Sequence, residues 1–363
     1  MKIRELIDVI DVFAPFFLQQ DFDNSGVQYA DLDGNIDKIL ICLDVTSEII
    51  EEAVKQNCNT ILSHHPIFFK PITNITRQES PIAFQLAHYH LNSIAAHTNY
   101  DLAENGLNDY VGKMLGLKKI DCLEPSSEKI FKLALYVPEK YQEGLLNSLF
   151  KAGAGNIGNY DETSFTFPGK GSFKPLGGAK PFIGETGKRE LVDEIKIETV
   201  FRERDFNKII EAIYKNHPYE EPAYDIYQLK TNTKSGIGLI ATTTSEQTLT
   251  DFVKNIKNIL NIPYLRIVQA NNKKVKTIAL CTGSGGSLID QAYQKKADIL
   301  ITGDVKHHEA LRAKEIGLNI IDIEHFYTEK YFVPAISEQL IEAQIPKDIL
   351  VASKKMNSPF QLF

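Results

Sequence analysis

No CxxC pair occurs among the four cysteines, Cys42, Cys58, Cys122 and Cys281, so no motif built on that spacing is available. Cys42, Cys122 and Cys281 lie in or beside apolar runs and read as reduced core or near-core thiols, the pattern of a cytoplasmic chain. No apolar run approaches ~18 residues, so no membrane-spanning helix is expected. The first ten residues carry acids inside their apolar pattern. They place Ile3, Leu6, Ile7 and Ile10 on one helical face, which predicts an amphipathic helix rather than a signal peptide. Positive charge is also short. Lys plus Arg is 40 against 47 Asp plus Glu, a formal charge of −7, which argues against a nucleic-acid surface while leaving room for a local phosphate pocket. Neither a Ser/His/Asp nor a Cys/His nucleophile arrangement stands out, and neither G-x-G-x-x-G nor a Walker loop is present.

What the chain does have is length: 363 residues, 43% of them hydrophobic, suggest about two to three domains and a core that needs no metal staple. A metal, where one binds, is then functional. Residues 38–44, 60–63 and 93–96 read as buried strands separated by helices at 46–56 and 81–90, a βαβαβ pattern that implies a parallel sheet. The last third repeats this grammar. Strands are predicted at 275–281, 298–302 and 319–323, a helix at 307–316 closed by Gly317, a long helix at 325–343 interrupted by Pro334, and a final short strand at 348–352. The middle differs. A strand at 130–137, a glycine-rich stretch at 153–187, a strand at 195–201, a helix at 205–216 and a strand at 224–229 give a ferredoxin-like α+β pattern. The expected organisation is an α/β domain in two parts, 1–124 and 234–363, interrupted by an inserted domain at 125–233. Pro125-Ser126-Ser127 and Thr231-Asn232-Thr233 read as its linkers.

Histidines and carboxylates follow the predicted strands. His64-His65 follows one, His97 and Asp101 the next, and His325 and Glu329, four residues apart on one helix face, follow a third. Ligands in open α/β sheets bind beyond the carboxyl ends of strands, so these segments are expected to meet. Three imidazoles and two carboxylates exceed what one four-coordinate catalytic ion takes from a protein. His64, His65, Asp101, His325 and Glu329 suit two divalent ions, with Glu329 as the candidate bridge and a water or hydroxide between the metals. Zinc heads the choices, and iron, manganese and cobalt accept the same donors. Asp44 and Asp304 are candidate acceptors for the ligands' second ring nitrogens. His97 reads as a partner sooner than as a ligand, and with Asp304 it is a candidate for proton transfer. His307 and His308 reach substrate or solvate a helix start. Residues 282–287 (TGSGGS) form either a phosphate cradle or a tight turn.

Ser63-His64-His65-Pro66, His97-Thr98-Asn99-Tyr100-Asp101, Thr302-Gly303-Asp304 with His307-His308, and His325-Phe326-Tyr327-Thr328-Glu329 together resemble the Nif-three-like family, often labelled GTP cyclohydrolase I type 2 homologue. The resemblance implies two pseudo-symmetric α/β lobes with a dinuclear metal site between them, held by the same five ligands. It also implies a ring-shaped homohexamer. The middle segment, with His217-Pro218-Tyr219-Glu220-Glu221-Pro222, is similar to the CutA/PII-like insert of longer bacterial members, which implies trimeric caps over the ring. Tyr100 stands where an apolar residue is expected, and Asp322-Ile323-Glu324 where many members have glycine or histidine.

Two functions follow. One is a metal-dependent hydrolase acting on a nucleotide or small phosphorylated metabolite through a metal-bridging hydroxide, with attack at purine C8 for GTP. The other is a non-catalytic metal-binding scaffold, sensor or carrier, motivated by the large insert.

Overall fold

The computed structural model describes residues 1–126, 129–158, 160–230 and 234–361. It is a mixed α/β chain with three sheets, and it divides into two compact units, Met1–Ser126 with Thr233–Phe363, and Ser127–Asn232. Of the expected linkers, Pro125 instead ends a strand and Ser126 donates its amide to the Ser235 carbonyl at 2.9 Å. Ser127 and residues 231–233 lie outside the described residues.

The first unit holds two sheets. The five-stranded sheet runs Gly26–Tyr29, Asn92–Ala95, Thr60–Ser63, Ile39–Cys42, Leu350–Ala352. Its last four strands are parallel, as the βαβαβ pattern requires, but Gly26–Tyr29 pairs antiparallel at the edge. The six-stranded sheet runs Arg266–Val268, Asn319–Asp322, Ile299–Gly303, Val275–Ser284, Gly236–Gln247, Lys118–Pro125. Only its three strands between 275 and 322 are mutually parallel. The all-parallel expectation is thus corrected at Gly26–Tyr29, at Arg266–Val268 and at Gly236–Gln247 with Lys118–Pro125, which join their sheets antiparallel.

The central strands are buried on both faces, which is why they read as continuous apolar runs. Ile39, Ile41, Leu62 and Ile94 of one sheet share a core with Leu280, Ile299, Ile301 and Ile321 of the other. Helices Ile3–Phe13, Leu107–Met114, Leu249–Ile259 and Phe332–Glu342 fill that core. Leu40, Cys42 and Ile61 face outward onto helices Ser47–Lys55 and Pro81–His88. Thr46 caps the first of these, its Oγ1 accepting the Ile49 amide at 3.3 Å. The expected long helix at 325–343 is two helices, His325–Glu329 and Phe332–Glu342. The break precedes Pro334, which occupies the first turn of the second helix, where its missing N–H costs nothing.

In the second unit, four antiparallel strands are ordered Ser164–Phe173, Glu190–Arg202, Ile130–Pro138, Tyr224–Leu229. Leu133, Leu135, Ile197 and Phe201 pack against Leu145 and Leu149 of helix Gln142–Lys151 and Ile209 and Ile213 of helix Phe206–Asn216. The glycine-rich stretch contains the strand Ser164–Phe173, which its composition hid. No helix among the described residues is long and apolar enough to cross a membrane. All four cysteines are buried and free.

Candidate metal centre

Parallel strands deliver their carboxyl ends to one edge, and within the first unit that is where the chemistry collects. His64-His65 follows Thr60–Ser63, His97 follows Asn92–Ala95, and Asp44 follows Ile39–Cys42. Asp304 follows Ile299–Gly303, and His325 follows Asn319–Asp322. Helix Thr98–Leu102 carries Asp101, and helix His325–Glu329 turns Glu329 back toward the histidines.

The distances are short. Glu329 Oε2 lies 2.8 Å from His325 Nε2 and 3.0 Å from His65 Nε2, and the two nitrogens are 3.4 Å apart. His64 Nε2 is 3.7 Å from both Glu329 Oε1 and Asp101 Oδ1. The ring nitrogens of His64, His65 and His97 form one group within 4.8 Å of one another, and those of His65 and His325 with a Glu329 oxygen form a second. Each group could hold a metal ion.

Each imidazole is held at its other nitrogen. His65 Nδ1 bonds Asp44 at 2.7 Å, His325 Nδ1 bonds Asp304 at 2.7 Å, and His64 Nδ1 bonds the Ala96 carbonyl at 2.8 Å. These acceptors fix a proton on Nδ1 and leave Nε2 as the atom turned toward the centre, the one a metal takes once any proton there is displaced. These Nε2 atoms face carboxylate oxygens. His64 Nε2 and Asp101 Oδ1 are buried with no hydrogen-bond partner. Acceptors so crowded require a cation or protons between them, and imidazole with carboxylate suits zinc, iron, manganese or cobalt.

The titration behaviour agrees. Burial lowers the His65 imidazole, but hydrogen bonds to Asp44 and Glu329 and their charges overcome it and raise it to about 10. His325 likewise rises to about 9 against burial, through Glu329 and Asp304. Asp101 is pushed up to about 7, first by burial, with the Glu329 charge adding to it. Glu329 is held well below the usual carboxylate range against its burial, by the charge of His64 and hydrogen bonds from His325 and His65. Protons therefore occupy the metal-free site near neutrality, and an arriving cation must displace them. Apparent affinity should rise with pH through neutrality, with about two protons released per binding event. Calorimetry in two buffers of different ionisation enthalpy measures this. Release of fewer than about one proton contradicts the assignment of both rings.

His97 sits in the same cluster. Its Nδ1 bonds Asp23 at 2.7 Å, and Asp23 also accepts the Thr98 amide and the Thr98 and Ser25 hydroxyls. These bonds hold the Asp23 carboxyl far below its usual range despite burial. Asp23 was not read from the sequence, where it follows no strand and belongs to no ligand-like spacing. Its only signal was the need of His97 for an acceptor. His307 and His308 are exposed at the start of helix His307–Ile316, ring to ring at 5.4 Å, and line no part of the site cavity. In the 282–287 stretch, the Thr282 amide goes to Asn108, that of Gly283 to Thr328 and that of Gly285 to Thr302, each at 2.8 Å. The stretch is a buttress for Glu329, not a free phosphate cradle. Tyr100 is fully buried against Phe13 and Phe332, an aromatic filling of the apolar position. Glu324 adopts φ 63°, ψ 151°, a conformation of glycine, held by Tyr264, Ser358 and the Asp322 carboxylate. Its strain, on the order of 1–3 kcal/mol, fixes the turn into His325.

Comparison with known proteins gives consistent results. Residues 1–358 match the family model Duf34/NIF3 (NGG1p interacting factor 3). A "GTP cyclohydrolase 1 type 2 homolog" of Staphylococcus aureus is 38% identical over 327 residues, 90% of this chain and 89% of the relative. One of Halalkalibacterium halodurans is 37% identical over 370 residues, covering 99% of each. A crystal structure of a Bacillus cereus protein related to NIF3 superposes with a TM-score of 0.79 at 33% identity, covering 100% of this chain and 99% of that one. One of a Staphylococcus aureus protein gives 0.81 at 32%, with the same coverage.

Proposed function

Because the chain belongs to the Duf34/NIF3 family, whose relatives here are named GTP cyclohydrolase 1 type 2 homologs, we propose that it is a dinuclear metal-dependent hydrolase acting on a nucleotide or a small phosphorylated metabolite. The observation that carries this reading is the pair of Nε2 atoms of His65 and His325, 3.4 Å apart and both against Glu329. His64, His65, Asp101, His325 and Glu329 would hold the two ions. A bound cation pair acidifies water and stabilises charge building on an attacked carbon or phosphorus. The protein's own groups do the rest. Asp44 and Asp304 orient the imidazoles, and the Ala96 carbonyl fixes the His64 tautomer. His97, pinned through Nδ1 to Asp23, keeps Nε2 for taking or returning a proton at the cavity floor.

The wider reading is a cytoplasmic homohexamer of pseudo-symmetric lobes, with the insert capping the ring. The strand order of the second unit and its two helices on one face support a ferredoxin-like insert. The test is turnover by metal-reconstituted protein across a panel of nucleotides and phosphoesters, with His64→Ala alongside. Wild type should hydrolyse at least one member, and the variant should lose about 100-fold or more, since loss even of a ligand's hydrogen-bond partner costs 10–100-fold. No turnover by protein loaded with each candidate metal leaves the site to a scaffold or carrier.

A further inference from the structure

We infer that the cavity above the metal centre recognises its substrate by a flat heteroaromatic ring, gripped by Phe22 and Phe69, and not by a phosphate chain; this rests on the hydrolase reading and narrows its substrate class. The cavity measures about 470 Å³, within the range of small-molecule sites. Its floor is His65, His97, Asp101, His325 and Glu329, and its mouth carries Phe22 and Phe69. Both rings are largely exposed, 61% and 53%, although each costs free energy when left in water. Phe69 meets the His97 ring edge-on at 5.9 Å, so one aromatic wall begins at the floor itself.

The two rings are on different loops, and those loops are laced together. Asn24 Nδ2 donates to the Phe68 carbonyl at 2.7 Å, the Phe68 amide donates to Gln28 Oε1 at 3.2 Å, and Gln28 Nε2 returns to the Asn24 carbonyl at 2.6 Å. Asp23, beside Phe22, is anchored by His97, Thr98 and Ser25. Backbone neighbours of both phenylalanines are therefore fixed, and a ring stacking on either meets a prepared surface at little ordering cost.

Charge decides against the phosphate chain. Among the described residues no lysine or arginine lines this cavity, while Asp44, Asp101 and Glu329 do. Lys70, beside Phe69, does not line it, and Lys330, beside Glu329, is committed to the Leu260 carbonyl at 3.0 Å. Among the described residues that line the cavity, positive charge is thus available only at the floor. A substrate attacked on its ring places the ring there and leaves its phosphates at a mouth with no cation to receive them. Phosphates that are not held contribute little to binding, so nucleoside and nucleotide should bind alike.

The test uses the full-length metal-loaded protein, with guanosine and inorganic tripolyphosphate as separate probes followed by calorimetry and ligand-observed NMR. Guanosine should bind within a few-fold of GTP. Phe22→Ala and Phe69→Ala should each weaken guanosine roughly 5- to 150-fold, the loss of one stacking face. Phe69→Tyr should restore binding, and tripolyphosphate binding should not respond to any of these variants. Both positions are exposed, so folding and oligomeric size by light scattering should not change. Tripolyphosphate binding as tightly as GTP, or guanosine affinity indifferent to both alanine variants, overturns the inference. A change of assembly in the variants without loss of ring binding overturns it too, and assigns the phenylalanines to a contact between copies. Ring binding without turnover of any panel member counts against the hydrolase reading alone. Turnover of a ring-free phosphoester counts against the ring inference alone.

Discussion

Glu329→Ala is expected to strip the protein of tightly bound metal while leaving it folded. Metal content after dialysis should drop from the wild-type level toward background, with affinity down by more than about 100-fold, beyond the cost of losing a ligand's hydrogen-bond partner. Glu329 is 3% exposed and touches three imidazoles. It is also the carboxylate that lies against His65 and His325 together. Removing it leaves two nitrogens 3.4 Å apart with neither an anion nor a shared cation to separate them. The metal-free fold should lose stability as well, by less than the ~3–5 kcal/mol of breaking a fully buried pair, because the His325 and His65 side chains are 34% and 18% exposed. Elemental analysis and thermal unfolding of both forms measure the two effects, and His307→Ala, on an exposed ring outside the cavity, should change neither. A Glu329→Ala protein that keeps its full metal content removes the carboxylate from the centre.

The sequence carried the candidate ligands further than it carried the fold around them. His64, His65, Asp101, His325 and Glu329 stood out because parallel strands advertise themselves as buried apolar runs, and the residues just past such runs are brought to a common edge. Asp44 and Asp304 were legible for the same reason, each being the polar residue that follows a strand. The antiparallel strands were not. Gly236–Gln247 and Lys118–Pro125 mix exposed and buried positions, and their pairing is set by partners more than a hundred residues away, which no local periodicity records. Asp23 and Gly283 were missed for a related reason. Neither has a ligand-like spacing, and their roles come from what folds against them: the His97 ring in one case, the Glu329 carboxylate in the other.

Gly283 gives the second large effect, because its hydrogen atom faces Glu329. A Cβ built there would lie 2.2 Å from Glu329 Oε1 and 3.6 Å from His325 Cε1. The residue also has φ +67°, which costs an alanine about 1–2 kcal/mol before any contact is counted. The backbone cannot retreat cheaply. The Gly283 amide donates to Thr328 Oγ1 at 2.8 Å, and that hydroxyl donates to the His325 carbonyl at 2.7 Å. The strain in Gly283→Ala should therefore be relieved by Glu329 swinging out of the cluster, and metal affinity should fall to within about tenfold of Glu329→Ala, given that a ligand's geometry sets its affinity. Gly317→Ala separates the two causes. Gly317 has φ +80° at the end of helix His307–Ile316, with nothing within 4 Å of a built Cβ, so its alanine pays the backbone cost alone. Both variants should melt a few degrees lower, and only Gly283→Ala should lose its metal. Equal metal content in the two would mean that Glu329 keeps its place beside a methyl group and that the glycine serves the turn alone.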